Sequence, residues 1–138
     1  MSTRAKTPQE QIYRESMDLA PVSPGIIPYI GYEIERLEEE SAAFLADERE
    51  VTEFTPFRLR QGVYGQRQPD VQMVRAKIPG GILTPEALDT LARVAEVYCP
   101  LGKGHITTRE NFQFHHIPLS RCPEVLRMLA QVGLSSRE

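Results

Sequence analysis

Every second residue from 105 to 115 carries a polar, hydrogen-bonding side chain: His105, Thr107, Arg109, Asn111, Gln113 and His115. The stretch reads GHITTRENFQFHHI (104–117) and holds all three histidines of the chain. Its β-branched and aromatic content predicts a strand, and alternation along a strand puts those six side chains on one face. Ile106, Thr108, Glu110, Phe112, Phe114 and His116 take the other face. A second alternating segment, Val71 to Pro79, sets Val74, Ala76 and Ile78 on one side and Arg75 and Lys77 on the other.

Two readings fit the polar row. One is a solvated outer sheet face, although such faces favour Lys, Glu and Thr over His, Asn and Gln. The other is a recognition surface, in which Arg75, Lys77 and Arg109 form a cationic wall. Guanidinium groups grip carboxylates bidentately, and amide side chains add neutral donors around them. At about 4 Å and an effective dielectric near 20, one such pair gains about 4 kcal/mol before desolvation. Ligands for a wall of this kind are polycarboxylates, phosphates or nucleic acid.

Metal binding by the histidines is disfavoured. His115 and His116 are adjacent and point to opposite faces. His105 and His115 share a face but stand about 33 Å apart on a straight strand. No carboxylate or cysteine completes a ligand set. Nucleophilic catalysis lacks a GxSxG and any pairing of cysteine with histidine.

The frame for these residues is small. The chain has 138 residues, 41% hydrophobic and 25% charged, which suits one folded domain with an extension. No apolar run reaches the roughly 20 residues of a membrane helix, and the start MSTRAKTPQEQIYRES lacks the apolar core of a signal peptide. The expectation is a cytoplasmic protein with no membrane partner. Cys99 and Cys122 lack CxxC or zinc-like spacing and read as two free, buried thiols, too few to hold an iron–sulfur cluster. Net charge is −3, yet the acidic residues crowd before Phe54, while Arg58, Arg60, Arg67, Arg75 and Lys77 face only Asp70 between Phe54 and Ile82. Such a cluster calls for water, acidic partners or an anionic ligand.

Residues 1–53 read as an extended, proline-rich arm followed by an acidic amphipathic helix from Tyr29 to about Arg49, with Ile30, Ile34, Leu37, Phe44 and Leu45 as its apolar stripe. Residues 54–138 read as the domain proper. A short strand is expected from Phe57 to Tyr64, then the strand 71–79 and a Gly80-Gly81 turn. The next helix is capped by Thr84, with Pro85 in its first turn and Leu88, Leu91, Ala95 and Tyr98 as its buried stripe. It ends before Pro100, and the polar strand follows. A last helix from Pro123 buries Val125, Leu126, Leu129 and Val132, and closes at Gly133-Leu134 in a Schellman-like ending. Strand, helix, strand, helix makes a two-layer α+β sandwich. Two principal strands leave open edges, so further strands are expected from another segment or chain.

The segments VRAKIPGGILT (74–84), GHITTRENFQFH (104–115), VGL (132–134) and the upstream GVYGQRQ (62–68) resemble the ferredoxin-like half-domain of nitrite and sulfite reductases. The likeness covers about residues 57–138. Its specificity lies in the combination of T-[TN]-R-x-x-x-Q-x-H with R-x-[KR]-x-P-G-G.

The resemblance implies an α+β, ferredoxin-like half-domain and an oxidoreductase that uses siroheme and a [4Fe-4S] cluster to reduce nitrite or sulfite. It implies that Arg75 touches both siroheme and the substrate anion, with Lys77 as a second basic residue. Arg109, Gln113 and His115 match positions that line the siroheme, followed by His105, Thr107, Thr108 and Asn111. Gln66 and Arg67 reach the cofactor from the preceding loop. The family's second cofactor-binding arginine segment, its further substrate-binding basic residues and its cluster cysteines match nothing in this chain. The expectation is therefore an amino-terminal segment, inactive alone, whose partners are the rest of the reductase and an electron donor such as ferredoxin or a reductase subunit. The alternative is a non-catalytic module that binds a tetrapyrrole or an anion. Nucleic-acid binding is disfavoured by the net acidic charge and a face without stacking aromatics.

Overall fold

Antiparallel pairing of Val71–Ala76 with Phe112–Pro118 is the centre of the molecule, seen here in a computed structural model that describes residues 30–138. The expected proline-rich arm lies outside the described residues. In chain order the elements are α1 (Ile30–Leu45), α2 (Val51–Arg60), β1 (Val63–Gly65), β2 (Val71–Ala76), α3 (Pro85–Tyr98), β3 (His105–Ile106), β4 (Phe112–Pro118) and α4 (Cys122–Gln131). Short 3-10 turns at Pro79–Gly81 and Leu119–Arg121 follow β2 and β4. The sheet order is β1-β2-β4-β3, antiparallel throughout. This is the α+β architecture expected, with four strands rather than two; the additional edges come from the chain's own short β1 and β3.

One face of the sheet is the core. Val63, Val74, Ala76, Phe114 and Ile117 are fully buried there. They meet Leu91 and Val94 of α3 and Val125 and Leu129 of α4 in one apolar cluster, which Ile30, Ile34 and Leu37 of α1 join. Burying a side chain of this size is worth about 1.5–3 kcal/mol.

The helices are punctuated largely as their residues dictate. Thr84 Oγ1 accepts from the Ala87 N–H at 3.1 Å and Pro85 begins α3. At the end of α4 the Leu134 N–H donates to Leu129 O and the Gly133 N–H to Ala130 O, with Gly133 at φ 76°, the two bonds of a Schellman motif. Two residues assigned to buried stripes are exposed: Leu45, the last residue of α1, and Leu88, on the outer side of α3.

Three expectations about strands are corrected. Residues 57–64 are not one strand: 57–60 close α2, which carries Pro56 in its interior, and Val63 and Tyr64 begin the short β1. Helical spacing brings Phe54 and Phe57 together at 6.4 Å, and Phe54 stacks on Phe44 at 4.4 Å, so aromatic packing outweighs the proline. The strand from Val71 ends at Ala76 rather than Pro79. The stretch 104–117 is not one strand but a hairpin. β3 and β4 pair His105 with Gln113 and Ile106 with Phe112, and residues 107–111 form the loop between them.

Candidate functional site

The loop of that hairpin is built from its own side chains. The Thr107 N–H donates to Asn111 O at 2.9 Å and the Glu110 N–H to Thr107 O at 3.0 Å. Thr107 Oγ1 accepts from the N–H groups of Arg109 and Asn111. Glu110 takes a left-handed conformation, φ 65°. Asn111 Oδ1 accepts from the Ile78 N–H at 3.1 Å and ties the loop to the end of β2.

The fold-back changes the site. His105 and His115 are not about 33 Å apart; their rings meet edge to face at 5.1 Å. Arg75 on β2 pairs with Gln113 on β4, which pairs with His105 on β3, so the three form one row across the sheet. The Gln113 amide oxygen, in the orientation that satisfies both groups, accepts from Arg75 Nε at 3.3 Å and Nη2 at 3.0 Å. Arg75, Thr107, Thr108, Arg109, Asn111 and Gln113 line an open recess of about 330 Å³. Arg109 is exposed, and among the described residues no carboxylate pairs with it.

Beside the recess Arg75 lies over the Tyr64 ring at 5.1 Å, within cation–π range. The Glu138 carboxylate sits among Arg75 Nη1 at 3.9 Å, Lys77 Nζ at 2.9 Å and the Tyr64 hydroxyl, which donates to it. Those bonds, from Tyr64 first and Lys77 next, hold Glu138 below the usual carboxylate range. Backbone pairing delivers it there: the Lys77 N–H donates to Ser135 O and the Glu138 N–H to Arg60 O. Tyr64 and Glu138 were not among the residues singled out from sequence. The β1–β2 register places Tyr64 opposite Met73; the expected strand 57–64 ended on Tyr64 without giving it a role.

Other residues are spent differently. A β-bulge at His115–His116, with His116 at φ 61°, slips the register between Gln72 and Val74. Alternation therefore does not place His116 with Phe112 and Phe114: Ile117 is the next buried residue, and His116 lines a separate groove with Tyr98 and Cys99. Gln66 turns its amide to this bulge, with Nε2 3.1 Å from His115 Nδ1 and Oε1 accepting from the His116 N–H at 2.7 Å. Arg67 is exposed on the β1–β2 loop. Arg58, part of the basic cluster of the sequence, reaches instead to Gln72, which is buried on the core side of β2. Of that cluster, Arg75 and Lys77 share the polar face.

The arrangement presents guanidinium, ammonium, amide, hydroxyl and imidazole groups on one side of a sheet whose other side is core. It suits an anion with several acceptor oxygens. No group of three or more His, Cys, Asp or Glu suited to a metal ion occurs among the described residues. None of the described helices is long and apolar enough to cross a membrane.

The class defined by these features is a small α+β sandwich with helices on one face and a basic, polar surface on the other. The family model described as the nitrite/sulfite reductase ferredoxin-like half domain matches residues 64–132, half of the chain, and the chain belongs to that family. It is 44% identical over 64 residues to a ferredoxin–nitrite reductase of Leptolyngbya laminosa, across 46% of this chain and 12% of that protein. It is 34% identical over 106 residues to the chloroplastic ferredoxin–nitrite reductase of Arabidopsis thaliana, across 75% of this chain and 18% of that protein. The chain thus spans less than a fifth of either relative. The Mycobacterium tuberculosis NirA structure shares the fold, with a TM-score of 0.59 at 23% identity, over 77% of this chain and 25% of that one.

Proposed function

We propose that this chain is the amino-terminal segment of a siroheme-dependent nitrite or sulfite reductase, and that its polar face is one basic wall of the siroheme and substrate-anion site. The observation that carries the reading is the row Arg75–Gln113–His105 with Arg109 poised across the same recess. The donor set fits a tetrapyrrole rimmed with carboxylates. Its members are cations and neutral donors, and their contacts to the Glu138 carboxylate, from Arg75, Lys77 and Tyr64, support that fit.

In this reading siroheme, when bound, passes electrons to the substrate anion. Arg75 and Lys77 neutralise the oxygens of that anion as its charge grows, which is stabilisation by preorganised fixed charges. Arg109, Gln113 and His115 hold the cofactor's edge, and His105, Thr107, Thr108 and Asn111 frame it. Arg67 reaches in from the β1–β2 loop, where Gln66 also stands. Residues 54–138 act as the reductase half-domain, and α1 is packed on it, with Ile30, Ile34 and Leu37 in the shared core. Cys99 and Cys122 are free and buried, so the [4Fe-4S] cluster belongs to the remainder of the reductase. The partners are that remainder and an electron donor such as ferredoxin, and the segment alone does not turn over substrate.

The test is a titration of the 138-residue chain with siroheme, followed by visible absorbance and by backbone amide shifts. One wall of a pocket predicts weak binding, with shifts centred on Arg75, Asn111, Gln113 and His115. Shifts confined to other surfaces would remove the cofactor assignment, and tight stoichiometric uptake would contradict the single-wall reading.

A further inference from the structure

Gln66 is held at both ends of its amide. Oε1 accepts from the His116 N–H at 2.7 Å, and Nε2 lies 3.1 Å from His115 Nδ1. The bulge creates this arrangement, because it turns the His116 backbone out of the β2–β4 ladder and leaves its N–H for a side chain.

The chemistry of the two contacts leaves one assignment. A backbone N–H can only donate, so the amide atom facing it is the oxygen. The NH₂ group then faces His115, and it carries no lone pair to offer. Nδ1 must therefore accept, and the proton of the neutral ring resides on Nε2. Protonating Nδ1 would set two donors against each other at 3.1 Å.

We propose that Gln66 is a positioning residue that fixes the tautomer of His115, keeping the ring neutral and making it a donor through Nε2–H. The groups around the ring agree. His105 on β3 meets it at 5.1 Å and His116 lies at 6.2 Å, so a charged His115 would face two rings of like sign. Among the described residues no carboxylate forms an ion pair with it. The neighbouring Cys99 thiol stays protonated, pushed up to about 11 by burial, and so supplies no compensating anion. Burial first, then His105 and His116, lower the His115 pKa. The tautomer stands on this chain's geometry alone; its use as a donor to the siroheme edge rests on the function proposed above.

The test is long-range nitrogen–proton correlation of the histidine rings in the 138-residue chain, from pH 5 to 9, without any cofactor. The wild type is expected to show His115 as the Nε2–H tautomer, with its own midpoint lowered from the ordinary imidazole value. In Gln66→Glu the carboxylate accepts from both partners, so the tautomer flips to Nδ1–H and the titration midpoint rises by about one unit or more. A wild-type ring protonated on Nδ1, or mixed, overturns the inference, as does a folded Gln66→Glu chain with unchanged tautomer and midpoint. Should that variant not fold, the wild-type spectrum decides alone. A failed siroheme titration would leave this result untouched, which separates the two proposals.

Discussion

Arg75 and Gln113 face each other across β2 and β4, and one amide oxygen of Gln113 takes both Nε and Nη2 of the guanidinium. That grip aims the cation. A guanidinium held along one edge has lost less freedom still to be lost when it meets an anion, which is how preorganisation strengthens binding. The two residues are therefore expected to act as a unit. In a double-mutant cycle of Arg75→Gln and Gln113→Leu, read as siroheme affinity of the 138-residue chain, the losses should be non-additive by about 0.5–3 kcal/mol. Strict additivity would mean that Gln113 does not orient Arg75.

The loop 107–111 supplies a stability test. Asn111 Oδ1 is the acceptor for the Ile78 N–H, a part-buried donor that no strand serves. Asn111→Ala leaves that donor orphaned and is expected to cost about 1–3 kcal/mol in urea unfolding. Wild-type stability in this variant would show that the tie does not hold the hairpin to β2.

Glu138 gives a pH dependence with a definite sign. Its carboxyl is held below the ordinary 4.5 by the Tyr64 and Lys77 bonds. A depressed carboxylate adds stability that is complete above pH 4.5 and is lost as pH falls through the lower, folded value. Glu138→Gln should flatten the fall in unfolding midpoint between pH 5 and 3 (about one unit either side of a normal carboxyl). Parallel pH profiles for the two chains would remove the Glu138 contacts from the stability account.

The two cysteines should be silent in the native state. Burial pushes Cys99 up to about 11 and Cys122 well above its usual range, and Cys122 Sγ donates to Pro118 O at 3.5 Å. The thiolate is the reactive form, so neither should label with iodoacetamide at pH 8 in the folded chain, and both should label in denaturant. Rapid native labelling of either would contradict the packing of the α3 end or the α4 start.

What could be read from residues alone follows how local each signal is. The Thr84 cap, the Gly133 ending and the alternation of Val74, Ala76 and Ile78 against Arg75 and Lys77 are set by neighbours within a few positions, and each holds in the structure. The hairpin did not announce itself. Its loop has no Asn-Gly and no glycine; Glu110 occupies the left-handed position, and Thr107 and Asn111 supply the closure. Read as one strand, the same residues kept the right polar face but put His105 and His115 at opposite ends of it. The bulge at His115–His116 is likewise invisible to alternation, because it exists only where β2 passes opposite. The helix Val51–Arg60 was hidden by Pro56, whose local cost the Phe44–Phe54 stack outweighs.

The hairpin loop closes on itself and is hydrogen-bonded through Asn111 to Ile78, just past β2, whereas Arg75 is locked into the ladder. One cation is thus built into the chassis and the other rides on an adjustable arm. Lengthening or shortening 107–111 would carry Arg109 nearer to or farther from its guest while the cross-strand row stayed in place, so evolution could retune the reach of this surface without rebuilding the sheet.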